Sequence, residues 1–236
     1  MNPKSILNLF SILVLFFSFS YVFPIIVSLI YKDGALDIFL KTLVFVSSIG
    51  IIGLIITRKI KNELSQKDGF VIIVMFWIVL STAGSIPFYL SGMSFIDSFF
   101  ESMSGITTTG ATVISNIDAL PDSILFYRQR LQWMGGMGLI VLAIAVMPLL
   151  GIGGGQLYKT EIPGAMGEQK LTPRIKETAQ ALWTIYLGLT FICALLYFFG
   201  GMSLFDAVSH SMSTVAIGGF STPVSYTHLR AHETDR

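Results

Sequence analysis

A nineteen-residue pattern occurs twice in this chain, and the fixed interval between its copies constrains the fold more than any other feature. Gly92–Gly110 reads GMSFIDSFFESMSGITTTG and Gly201–Gly219 reads GMSLFDAVSHSMSTVAIGG, an offset of 109 residues without a gap. Eight positions are identical: Gly92, Met93, Ser94, Asp97, Ser102, Met103, Ser104 and Gly110 against their partners. Unrelated stretches of that length would share roughly one. The chain is built from repeated units.

Each copy follows a long uncharged apolar run, opens on Gly-Met-Ser, carries an Asp at the same place, and ends in a string of Thr, Ser and Gly. Such a string is a poor helix. Thr107, Thr108 and Thr109 are β-branched and lose rotamer freedom on a helix, and Gly110 and Gly219 release the backbone into left-handed conformations. At membrane depth, non-helical backbone is tolerated only where protein buries it or it lines a watery cavity. A re-entrant pore loop meets that condition, preceded by a short pore helix with Asp97 or Asp206 in its first turn, where acidic residues suit the helix dipole.

The membrane setting follows from composition. Of 236 residues, 53% are hydrophobic and 12% charged, with mean hydropathy +0.74. That is about half the charge of an ordinary soluble domain. The net charge of +1 gives no field that would attract nucleic acid. Cys193 is the single cysteine, so it forms no intrachain disulfide, and its apolar run makes it a packing residue.

Ile6 to Ile30 is uncharged and long enough to span a bilayer, too long for a signal-peptide core. Asp37 to Thr57 is a second span, with Lys41 able to snorkel to the interface. Together they form an N-terminal helical hairpin. Arg58 to Asp68 carries four basic residues, which puts that loop and the amino terminus in the cytoplasm. Phe70 to Ile96 supplies an outward span and the start of the first pore segment. Between Gly69 and Tyr127 the only charges are Asp97, Glu101, Asp118 and Asp122, giving the first repeat an acidic outer face that concentrates cations. Leu131 to Tyr158 returns the chain, its Gly135, Gly136 and Gly138 permitting close helix contacts. Ala179 to Phe205 is the next outward span.

The expected organisation is therefore an all-α polytopic membrane protein. Residues 1–68 form the hairpin and its loop, 69–158 a first pore repeat, 159–178 a cytoplasmic loop, and 179–222 an incomplete second repeat. Residues 223–236 turn abruptly polar and read as a non-native tail, with the chain a fragment. On that reading the second loop, left without its own inner helix, is expected to be disordered or displaced.

A filter for dehydrated monovalent cations needs oxygens in place of the hydration shell, and backbone carbonyls provide them without a fixed charge in the membrane. Thr and Gly let the backbone face the ion. GIGGG at 151–155 lacks the lysine and Ser/Thr of a phosphate loop. His228 and His232 are spaced as metal ligands on a helix but have no third ligand nearby, so no transition-metal site is assigned. No nucleophile or acid–base constellation supports an enzyme, and His210 reads as a packing residue.

The stretches SMSGITTTGAT, RQRLQWMGGMGLIVLAIAVMPLLGIGGGQLY, KLTPRIKETAQALW and HSMSTVAIGGFST resemble the TrkH branch of the Trk/Ktr/HKT potassium transporters, over residues 1 to 222. The resemblance implies four repeats of outer helix, pore loop and inner helix, preceded by two extra helices. It implies that Gly110 and Gly219 are filter glycines, with Thr107, Thr108, Thr109, Ile217 and Gly218 lending carbonyls to K⁺ as the transported ion. It also implies uptake across a bacterial inner (plasma) membrane, no cofactor in this chain, a homodimer in lipid, and a cytosolic nucleotide-binding TrkA-type regulatory subunit. The competing readings are a secondary ion-coupled transporter with a broken-helix site, disfavoured because the two repeats share one orientation, and a non-conducting fragment.

Overall fold

The computed structural model describes residues 3–58, 66–146 and 171–222. Among them every regular element is helical: α1 (Pro3–Ser18), a 3₁₀ turn (Phe19–Tyr21), α2 (Val22–Tyr31), α3 (Leu36–Thr57), α4 (Gln66–Leu90), α5 (Phe95–Ile106), a 3₁₀ turn (Ile117–Ala119), α6 (Asp122–Val146), α7 (Leu171–Phe199) and α8 (Leu204–Val215). Most of the two basic loops, GIGGG and the segment from Pro223 with His228 and His232 lie outside the described residues.

Four stretches among the described residues are long and apolar enough to cross a membrane: Lys4–Tyr31, Leu36–Thr57, Val71–Leu90 and Glu177–Phe199. The expected return span at Leu131–Tyr158 is described as α6 up to Val146, and this helix carries Arg128 and Arg130 in its first half. Lys41, expected to snorkel, pairs with Asp37 at 2.6 Å on the helix surface.

The hairpin closes through small and polar residues. Asn8 Nδ2 donates to Thr57 Oγ1 at 2.7 Å, Ser11 faces Gly53 and Leu15 faces Gly50, so α1 and α3 run antiparallel in close register. The buried positions of α3 are Phe39, Thr42, Val46, Gly50, Gly53 and Thr57, a stripe with steps of three and four on one helix face. The other faces carry exposed apolar side chains such as Ile55 and Ile56, which is how a helix meets lipid.

A proline organises the core. Pro87 lies inside α4 and has no N–H to give the Ala83 carbonyl one turn back. Tyr21 Oη supplies the missing donor at 2.8 Å, and Tyr127 Oη donates to the next carbonyl, Gly84 O, at 3.0 Å. The Tyr127 ring also meets Tyr21, Phe39 and Phe88, so residues from four helical segments converge on α4's weak turn. Asp33, between α2 and α3, accepts from Ser123 N at 2.7 Å and so caps the start of α6.

Candidate functional site: two re-entrant loops on one helix

The repeat is geometric as well as textual. Each outer helix ends in a left-handed glycine, Gly92 (φ 103°) and Gly201 (φ 95°), with Met93 N bonded to Phe88 O at 3.2 Å and Met202 N to Tyr197 O at 3.1 Å. This six-to-one closure ends the helix and reverses the chain. Ser94 and Ser203 then cap the pore helices α5 and α8. Each accepts from the backbone N–H of Asp97 or Asp206 at 3.1 Å and donates back to its carboxylate at 2.7 Å. The expected acidic first turn is part of a reciprocal cap.

The pore helices end alike too. Thr109 N bonds to Ser104 O at 2.9 Å and Gly218 N to Ser213 O at 2.8 Å, while Thr108 (φ 56°) and Ile217 (φ 55°) take the left-handed position that glycine usually fills. For β-branched residues this is a genuine outlier, of a kind that clusters at ligand clamps. Gly110 (φ 76°) and Gly219 (φ 84°) follow two residues later. The backbone at 107–110 and 216–219 thus alternates in hand twice, the pattern that turns successive carbonyls toward one side.

All seven residues expected to form a filter lie in these two turns, and the turns come together. A methyl built on Gly110 would stand 3.3 Å from Gly219 Cα and overlap the Gly218 carbonyl oxygen. Thr109 and Gly219 are exposed, Ile217 is 89% exposed, Thr107, Thr108 and Gly110 are half-buried, and Gly218 is buried. Thr107 and Thr109 bond to each other through their hydroxyls at 2.7 Å.

The second loop is not displaced, contrary to the expectation from the sequence. It is seated on α6, which belongs to the first repeat. Gln132 Nε2 donates to Gly218 O at 2.6 Å, and Gln132 Oε1 accepts from Ser213 Oγ at 2.8 Å and Phe220 N at 3.1 Å. One turn earlier the Arg128 guanidinium lies 4.3 Å from the Phe220 ring centroid and donates to Ser221 O at 3.4 Å. These partners satisfy carbonyls and amides that would otherwise be orphaned.

Glu101 corrects the reading of an acidic outer face. It is fully buried, accepts from Arg128 Nε at 2.7 Å, and also receives Thr112 Oγ1 and Val113 N. Its charge is spent inside the first repeat, where a buried carboxylate needs a cation and further donors. His210, at the matching position, is more than a packing residue: its Nε2 lies 3.1 Å from Thr222 Oγ1, whose hydroxyl donates to Asp206 Oδ1 at 2.6 Å. Both residues therefore clip the strand leaving their own loop. Gly135 and Gly136 serve as expected, passing against Ile106 O of the first pore helix and against Ala216 and Tyr186.

At the turn between α2 and α3, burial raises the Asp33 carboxyl, but hydrogen bonds from Ser123, Ser28 and Ala35 outweigh it and hold the group below the usual carboxylate range. Asp122 is pushed up by burial and by the charges of Asp33 and Asp206.

A helical membrane protein with paired re-entrant loops, each closed by strained backbone and brought into contact with the other, is the class these features define. The chain belongs to the TrkH family, described as a cation transport protein, whose pattern matches residues 36–225. It is 52% identical over 225 residues to the Trk system potassium uptake protein TrkH of Vibrio parahaemolyticus, covering 94% of this chain and 46% of that protein. The protein of the same name from Escherichia coli K12 is 50% identical with 94% and 47% covered. The crystal structure of the potassium transporter TrkH from Vibrio parahaemolyticus superposes with a TM-score of 0.81 at 48% identity, covering 94% of this chain and 45% of that one. The chain spans about half the length of the curated relatives it matches.

Proposed function

We propose that this chain contributes two quarters of a potassium filter to a channel-like uptake system and is not an enzyme. The observation that carries the reading is the matched backbone: left-handed residues at 108 and 217 and again at 110 and 219, in loops that touch at Gly110 and Gly219. On this reading the carbonyls of Thr107, Thr108, Thr109, Gly110, Ile217, Gly218 and Gly219 replace water around K⁺. Gly218 O is already engaged by Gln132, so its second lone pair is the one left for an ion.

The names of the relatives support potassium as the ion and a multi-component system as its setting. We take the site of action to be a bacterial inner membrane, with the amino terminus and the basic loops in the cytoplasm. A homodimer and a TrkA-type nucleotide-binding subunit at those loops complete the proposed assembly, and the filter needs no cofactor beyond the ion itself.

The test uses a chimaera in which residues 1–222 replace the matching half of the Vibrio parahaemolyticus protein. Gly110→Ser and Gly219→Ser should each reduce Rb⁺ uptake about tenfold or more, since each forces a side chain onto left-handed backbone in the filter. Unchanged uptake and unchanged potassium-limited growth in both variants would overturn the filter assignment.

A further inference from the structure

We propose that Gln132 is a positioning residue of the second filter loop, its amide fixing the direction of the Gly218 carbonyl and thereby the preference for potassium over sodium; this rests on the reading of residues 217–219 as filter. Gln132 is fully buried, and backbone groups settle which way its amide faces. Phe220 N–H is only a donor, so it takes Oε1, and Gly218 O is only an acceptor, so it takes Nε2. With Ser213 Oγ as the third partner, every polar atom of the side chain holds the second loop or the end of its pore helix.

The two loops differ at the position that needs this hold. Where the first has Thr109, the second has Gly218. Thr109 is β-branched and bonded through its hydroxyl to Thr107, so its peptide is stiff on its own account. Gly218 has no side chain, is followed by Gly219 and follows the left-handed Ile217, so the peptide between 218 and 219 can rotate unless something outside the loop stops it. Gln132 stops it. The fit also requires glycine at 218 as long as Gln132 is present, because a Cβ on Gly218 would overlap Gln132 Cδ and Oε1. A rigid threonine at 109 and a glycine locked by a glutamine at 218 are two solutions to one requirement, a carbonyl held in a fixed direction.

The proposal predicts a selectivity defect without a folding defect. In the same chimaera, Gln132→Leu and Gln132→Ala should reach the membrane in normal amount while their Rb⁺ to Na⁺ uptake ratio falls about tenfold, the equivalent of one lost hydrogen bond. Combining Gln132→Gly with Gly218→Thr removes every atom of residue 132 that a side chain at 218 would overlap and imports the stiffness of the first loop, so the ratio should recover by at least half. A ratio within about twofold of the parent in Gln132→Leu overturns the proposal. So does equal loss of both ions together with lost membrane protein and no recovery in the double variant, since a purely structural residue would behave that way. If the parent chimaera takes up no Rb⁺, the filter reading itself fails and this proposal falls with it.

Discussion

Glu101 and His210 occupy matching positions on the two pore helices, 109 residues apart, and each reaches the strand leaving its own loop. One is a buried carboxylate held by Arg128, and the other an imidazole on a threonine hydroxyl. The first loop is therefore tied by charge to its own inner helix. The second hangs by hydrogen bonds from that same helix, through Gln132 and the Arg128 contact with Ser221 and Phe220. Equal backbones held by unequal supports show that the repeat conserves the path of the chain and leaves its fastening free to differ.

The largest expected effect falls on the charged tie. Arg128→Leu leaves Glu101 buried without its cation and should cost about 3–5 kcal/mol, whereas His210→Leu, losing one hydrogen bond, should cost about 1 kcal/mol. Thermal unfolding of the detergent-solubilised protein measures both. The double variant Glu101→Leu/Arg128→Leu should regain more than half the loss, and a double variant as unstable as the single would break the contrast between charged and uncharged support.

The glycines give the next contrast. Both Gly110 and Gly219 are left-handed, which strains an alanine by about 1–2 kcal/mol, but only at Gly110 would the new methyl overlap backbone, at Gly218 O. A Cβ on Gly219 finds only Gly110 Cα, 4.0 Å away. Gly110→Ala should therefore lower stability about twice as much as Gly219→Ala. Equal losses would mean that the loops are further apart than described.

The smallest effect concerns the tether between hairpin and first repeat. Because folding depresses the Asp33 pKa, its contribution is fully present above the ordinary carboxylate value of about 3.9 and disappears as pH falls through the lower folded value. Asp33→Asn should lower the Tm by about 1 °C at pH 7, and the gap should shrink below about pH 4. A gap that widens on acidification would reverse the sign. No effect is expected on the Gln132 contacts of the second loop, in which Asp33 takes no part.

The backbone of the site was legible because local chemistry writes it: Gly-Met-Ser ends a helix, Ser-x-x-Asp caps the next, and Thr-Thr-Thr-Gly leaves helical geometry. Its fastening was not. Glu101 reads as one more acidic residue in an uncharged window, since its burial is decided by Arg128, 27 positions away. A signal was nevertheless present in RQRLQW: Arg128 and Gln132 stand one turn apart, with Gln129 and Arg130 between them, and polar residues at such depth need an inward partner. In the hairpin, spans could be delimited but not oriented, because α3 is apolar all round. The buried stripe is marked by Thr42, Gly50, Gly53 and Thr57, small and polar residues that hydropathy counts as weak.

The two arginines of α6 also bear on how such a chain enters a membrane. Left alone, a helix carrying Arg128 and Arg130 is handicapped by about 2.5–3.5 kcal/mol for each charge near the bilayer centre. Each has a partner that is synthesised first: Glu101 pairs with Arg128, and the Phe23 ring lies 3.6 Å beneath the Arg130 guanidinium. Segments translated earlier thus wait as a docking surface for the one segment that lipid would reject. A chain that keeps α2, α5 and α6 together until those contacts form never exposes either arginine to lipid alone, which a succession of single helices would do.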